Sequence, residues 1–194
     1  EQGDRHIHKK VTPKFGGMCI FISFLIGYML FGVHSVKMNA ILIGSFFIIL
    51  TGMIDDINSL SPKQQFLGQI IAALVIIFYG DITLSNITAF GFNIQFGIFA
   101  YPITLFFILG CINVIRLIDG LDGLSGGISS IFFLTIGVIS FLQQRFGTLE
   151  ITLTFIMLGS TLGFLVHNFN PAKTFAGETG ATFMGFIIAV ISLL

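Results

Sequence analysis

Two aspartates three residues apart, Asp119 and Asp122, stand among four glycines in NVIRLIDGLDGLSGG (113–127), with strongly apolar runs on both sides. Any helical turn here puts both carboxylates on one face. Gly120, Gly123, Gly126 and Gly127 remove side chains that would hold a ligand off the backbone. Acid beside bare backbone at the mouth of an apolar helix suits a metal-charged phosphate; the plain alternative is a polar turn punctuated by glycine. Two further acidic loops weigh against that alternative. In GMIDDINSLSPKQQFLGQ (52–69), Asp55 and Asp56 end one apolar run and Lys63 precedes the next. Adjacent ionised carboxylates at a membrane boundary are costly without a cation or hydrogen bonds, and their repulsion can raise one pKa toward that of a useful general base. A helix C-terminal end also disfavours acids, which argues against a mere solvated terminus. In HNFNPAKTFAGETGA (167–181), Glu178 between Gly177 and Gly180 is a third source of carboxylate, and Lys173 offers a phosphate contact. Asn168 and Asn170 can hydrogen-bond a sugar or base, or cap the turn; His167 reads as interfacial.

These loops need elements to hold them. The chain has 194 residues, 55% of them hydrophobic and 9% charged, with mean hydropathy +0.99. That is the composition of an integral membrane protein. Lys+Arg and Asp+Glu are both 9, a balance that argues against nucleic acid as a partner. Cys19 and Cys111 both lie in apolar runs, which points to neither a disulfide framework nor a thiolate metal site.

Seven apolar runs approach the length of a membrane helix, near 15–33, 39–54, 66–80, 98–117, 124–142, 149–167 and 180–194. They lack the alternation of barrel strands, so an all-α polytopic membrane protein of about seven helices is expected. With alternating spans, one side of the membrane receives Arg5, Lys9, Lys10, Lys14, Lys63, Arg116 and Lys173, and the other receives Lys37 and Arg145. The positive-inside rule makes the first side cytoplasmic. Asp55, Asp56, Asp119, Asp122 and Glu178 gather on that same side, while Asp81 and Glu150 fall outside. The first loop of the basic side, RHIHKKVTPKFGG (5–17), reads partly as juxtamembrane charge attracted to anionic lipid at Lys9 and Lys10. His8 reads either as a phosphate contact or as a solvated interfacial residue. The outer segment DITLSNITAFGFNIQFG (81–97) predicts a short extracytoplasmic β-hairpin. Residues 1–194 read as a single transmembrane domain, an internal portion of a longer chain.

The four ordered loops RHIHKKVTPKFGG, GMIDDINSLSPKQQFLGQ, NVIRLIDGLDGLSGG and NFNPAKTFAGETGA resemble the polyprenyl-phosphate N-acetylhexosamine-1-phosphate transferases over nearly the whole chain. NFNPAK and the short hairpin are more similar to the bacterial branch that uses UDP-N-acetylglucosamine than to the branch that uses UDP-N-acetylmuramoyl-pentapeptide. The resemblance implies a multi-spanning enzyme that moves a sugar-1-phosphate from a UDP-sugar to undecaprenyl phosphate and releases UMP, for cell-wall or surface polysaccharide synthesis. It implies Mg²⁺, with Mn²⁺ as the alternative, and a bilayer setting in the cell membrane with the active face cytoplasmic. A homodimer is the oligomer weighed beside a monomer. By position, it implies catalytic roles for Asp55 and Asp56 and substrate contacts from His8, Lys14, Asn113, Asp119, Asp122, Asn168 and Lys173, with Glu178 as a metal ligand.

The chain departs from the family pattern at three places. Arg116 stands where a second Asn is usual, Glu178 where Asp is usual, and Gln65 where Lys is common. The first two positions supply metal ligands in the family. Glu reaches one methylene further than Asp, and Arg cannot ligate; its fixed charge would displace the ion or pair with Glu178. A non-catalytic relative that binds lipid phosphate or nucleotide-sugar is therefore the second expectation. A transporter is the third, disfavoured because no acid lies in mid-span.

Overall fold

The computed structural model describes residues 13–32, 34–89 and 92–194; among these the chain forms seven α-helices and one two-stranded sheet. The helices are α1 (Gly16–Phe31), α2 (Val36–Ile57), α3 (Pro62–Leu74), α4 (Ala100–Ile118), α5 (Leu124–Leu142), α6 (Leu149–Asn168) and α7 (Gly177–Leu193). A wider π turn at Val75–Tyr79 prolongs α3, and a 3-10 turn at Gly97–Phe99 leads into α4. Val36–Ile57, Gly97–Ile118, Leu124–Leu142 and Leu149–Asn168 are long and apolar enough to cross a membrane, while α1 and α7 are apolar and shorter. The protein is thus a multi-pass, all-α membrane protein with one small hairpin.

Helix ends differ from the apolar runs where polar residues cap them. Ser35 Oγ accepts from Met38 N at 3.1 Å and carries the start of α2 back to Val36. Ser61 and Gln64 form a reciprocal capping box with Pro62 in the first turn, so α3 starts at Pro62 rather than near residue 66. Neither α1 nor α7 has a side-chain cap of its own. The first amides of α1 are met from the loop before α7: Gly16 N donates to Phe175 O and Gly17 N to Ala176 O, each at 3.0 Å.

The bundle is arranged around α7, which is buried at every residue from Thr179 to Ile191. A helix covered on all sides belongs to the interior. It packs chiefly on α4, α2 and α1. Phe183 takes the ring edges of Phe21 and Phe24, with centroids 5.4 and 5.3 Å away. Small residues bring backbones together, as expected where lipid offers no hydrophobic drive between helices. Gly17 of α1 lies against the Gly180 backbone, and a Cβ on Gly185 would sit 2.7 Å from Ile112 Cα on α4. Outward faces carry large apolar side chains such as Met29, Phe106, Leu117 and Val166, which suit contact with lipid acyl chains.

The hairpin pairs β1 (Asn86–Ala89) with β2 (Phe92–Gln95) in antiparallel register, Ile87 opposite Ile94 and Thr88 opposite Asn93. Because strand residues alternate between faces, Ile87 and Ile94 share one face with Phe92, while Asn86, Thr88, Asn93 and Gln95 share the other. Leu84 N donates to Thr104 Oγ1 at 2.8 Å, tying the hairpin to the start of α4, at the end of the bundle opposite the acidic loops.

Gly185→Leu is expected to force α7 from α4 and cost about 1–3 kcal/mol of stability. Gly110→Leu, on the exposed side of α4 with nothing within 4 Å of a built Cβ, is expected to change stability by less than about 0.5 kcal/mol. Unfolding midpoints in detergent compare the two.

Candidate functional site

Four loops far apart in the chain are hydrogen-bonded together at one end of the bundle. The centre of this arrangement is Asp56, in the last turn of α2. Its Oδ1 accepts from Glu178 N at 3.0 Å; its Oδ2 accepts from Thr179 N at 3.0 Å and Thr179 Oγ1 at 2.7 Å. Ala176, at the cap position of α7, has no side chain for this task, and a carboxylate from α2 supplies the missing acceptor. Gly177 makes room: φ is +69° there, and a Cβ would lie 2.7 Å from Asp56 Oδ2.

The other loops interlock beside it. Thr174 Oγ1 and Phe175 N donate to Pro13 O at 3.0 and 3.1 Å. Asp122 Oδ2 accepts from Ala172 N at 3.0 Å. Asn168 is buried; its Oδ1 accepts from Gly123 N at 3.0 Å and its Nδ2 donates to Thr174 O at 2.9 Å. The segments around 13, 56, 122 and 172 therefore share one face.

Between α2, α3, α4 and α7 lies an open cleft lined by Thr51, Asp55, Gln65, Gln69, Arg116 and Glu178, among others. Asp55 Oδ1 accepts from Leu60 N at 2.6 Å and Oδ2 from Gln65 Nε2 at 2.9 Å, so this carboxylate also closes the α2–α3 turn. Arg116 Nε meets Glu178 Oε2 at 2.5 Å. One turn further into α4, Asn113 Nδ2 donates to Gln69 Oε1 and to Leu109 O, both at 2.8 Å. Asp119, at the end of α4, accepts a hydrogen bond from Ser125 Oγ. Burial pushes its carboxyl up from 3.8 to about 6, despite the Ser125 hydrogen bond, with further upward pressure from Glu178 and Asp56 and an opposing pull from Lys14.

The sequence-predicted residues thus fall into distinct places. Asp55, Arg116 and Glu178 line the cleft, with Asp119 close enough to feel Glu178, Asp56 and Lys14. Asp56 is under the start of α7, and Asn113 reaches the cleft through Gln69. Asp122 and Asn168 join the α4–α5 and α6–α7 loops, where Lys173 is exposed and donates its backbone N–H to His167 O at 2.9 Å. His8 lies outside the described residues, as do Arg5, Lys9 and Lys10. Gln69, buried and polar, was missed by sequence reasoning. Its signal was present, since it follows Gln65 by four residues and shares its helical face.

The donor set does not fit a Mg²⁺ centred on Glu178. That carboxylate is committed to a guanidinium, and among the described residues no group of three or more His, Cys, Asp or Glu side chains is placed to hold a metal ion. The positive charge of the cleft comes from Arg116.

Residues 38–194 match the family model described as glycosyl transferase family 4. Over 196 aligned residues the chain is 39% identical to a "Probable undecaprenyl-phosphate N-acetylglucosaminyl 1-phosphate transferase" of Bacillus subtilis (strain 168), with 100% of this chain and 54% of that protein covered. It is 33% identical to a phospho-N-acetylmuramoyl-pentapeptide-transferase of Streptococcus agalactiae serotype Ia, covering 100% of this chain and 62% of that one. A protein of the same name from Prochlorococcus marinus (strain MIT 9312) is 35% identical, with 97% and 57% covered. The chain therefore spans a little over half the length of these relatives.

Asp56→Ala leaves the first amides of α7 without their acceptor and is expected to cost about 2–3 kcal/mol, against about 1 kcal/mol for Thr179→Val, read from chemical or thermal unfolding. Asp119 gives a pH signature. Its folded pKa lies above the unfolded value, so its contribution to stability is greatest below pH 3.8 and falls as pH rises through about 6. Asp119→Asn, with no charge to bury, is expected to match the wild type near pH 4 and exceed it by about 1–3 kcal/mol at pH 7.

Proposed function

The chain belongs to glycosyl transferase family 4, and we propose that the full protein transfers N-acetylglucosamine-1-phosphate from UDP-N-acetylglucosamine to undecaprenyl phosphate at the cytoplasmic face of the membrane. A lipid-phosphate oxygen attacks the sugar-linked phosphorus. The bond from that phosphorus to the bridging oxygen breaks, and its electron pair leaves with UMP. The sugar and lipid are those named for the Bacillus subtilis relative. The basic residues grouped with the acidic loops support the cytoplasmic face.

The observation that carries this reading is the joining of four distant loops on one face, with a cleft of acid, amide and guanidinium groups beside them. Phosphoryl transfer depends mainly on positioning and charge neutralisation, and this end of the bundle offers both. Asp55 and Asp56 each hold backbone amides, so in this proposal they shape the site by fixing the α2–α3 turn and the start of α7. The proton of the lipid phosphate, whose second pKa is about 6, needs only a weak acceptor. Asp119, with its carboxyl at about 6, is matched to that exchange.

A second reading, a non-catalytic binder of lipid phosphate or nucleotide-sugar, is favoured by the Arg116–Glu178 contact, because a guanidinium attracts phosphates without activating them.

The deciding experiment supplies radiolabelled UDP-N-acetylglucosamine and undecaprenyl phosphate to the full-length protein in lipid nanodiscs. Labelled lipid with equimolar UMP is the expected product, and Asp119→Asn is expected to lower kcat by about a hundredfold or more. Substrate binding without product at any pH from 6 to 8 would establish the non-catalytic reading.

A further inference from the structure

Arg116 and Glu178 come from different helices, α4 and α7, and meet with 27% and 30% of their side chains still exposed. Both line the cleft, together with Gln65, Gln69 and Thr182. The ion contact lies at Nε; of the five N–H donors of a guanidinium, the terminal nitrogens carry four in a planar fork. That fork matches two oxygens of a phosphate group. Asp55, the other carboxylate in the cleft, already accepts from Leu60 N and Gln65 Nε2. Glu178 is itself held from below, since its backbone N–H is fixed by Asp56.

Taking from the transferase reading only the nature of the ligand, we propose that Arg116, held in place by its contact with Glu178, is the built-in cation of this cleft. Glu178 anchors the guanidinium by the ion contact at Nε, and the terminal nitrogens bind the diphosphate of a phosphorylated ligand, so that binding requires no divalent ion. The charge is part of the chain and cannot be chelated. A divalent cation approaching Glu178 would have to displace a guanidinium already in contact and would be repelled by it.

The test uses the full-length protein in lipid nanodiscs, with inorganic pyrophosphate and UDP-N-acetylglucosamine as titrants, in EDTA and in Mg²⁺. Mn²⁺ binding is read separately by electron paramagnetic resonance. For the wild type, pyrophosphate affinity is expected to change by less than about threefold between EDTA and Mg²⁺, with no stoichiometric Mn²⁺ site. Arg116→Asn combined with Glu178→Asp is expected to lose about tenfold or more in affinity for pyrophosphate in EDTA and to gain a stoichiometric Mn²⁺. Arg116→Lys keeps the charge and removes the fork; an affinity loss of about tenfold in EDTA, with no Mn²⁺ gained and an unchanged unfolding midpoint, separates geometry from charge. Pyrophosphate binding abolished by EDTA in the wild type, or a stoichiometric Mn²⁺ there, overturns the proposal, as does an Arg116→Lys protein that binds pyrophosphate like the wild type. Pyrophosphate bound in EDTA through Arg116, with UDP-N-acetylglucosamine ignored in both buffers, sinks the transferase reading and keeps the cation. UDP-N-acetylglucosamine bound only with Mg²⁺ does the reverse.

Discussion

A helix buried on every side leaves its first amides pointing into the protein, and something must accept from them. In this chain the acceptor is a carboxylate on another helix. Asp56 of α2 holds Glu178 N, Thr179 N and Thr179 Oγ1 at the start of α7. The positive end of α7 and the ionised aspartate stabilise each other. Much else follows from that contact. It fixes the depth of α7 among α1, α2 and α4, places Glu178 over the cleft, and brings the loop before α7 against the start of α1. Residues more than a hundred positions apart become neighbours because one amide-rich helix end has to be satisfied.

The electrostatics of the site follow from the same crowding. Asp119 feels Asp56 and Glu178 at the edge of an apolar bundle, where its own solvation is reduced. Asp56 is stabilised by amides, Glu178 by Arg116, and Asp119 by Ser125, which alone does not offset its burial. Three carboxylates in one neighbourhood thus have three different partners. Asp56 holds the start of α7, Glu178 meets a guanidinium, and Asp119 keeps a carboxyl that burial pushes up to about 6.

The apolar runs made the helices legible because lipid imposes a single rule on every exposed face. Runs read at 124–142 and 149–167 became Leu124–Leu142 and Leu149–Asn168. Where polar residues took over, the runs stopped being a guide: α3 begins at a Ser-Pro-Gln cap four residues before its apolar stretch, and α7 at a glycine whose cap is supplied from α2. The acidic loops were also legible as a set, since their spacing put them all on one side. What each acid would do was not. Nothing local distinguishes Asp55, which closes a turn, from its neighbour Asp56, which holds a distant helix. Arg116 was legible as an odd residue in its motif, and its meeting with Glu178 was one of two outcomes its charge allowed.

Asn168 makes one more thing follow. Its amide, almost sealed from solvent, grips Gly123 N with one atom and Thr174 O with another. Two strips of chain that sequence separates are thereby welded into a common plate. A load on either strip is shared with its companion, so the two respond as a unit and not as two independent fingers.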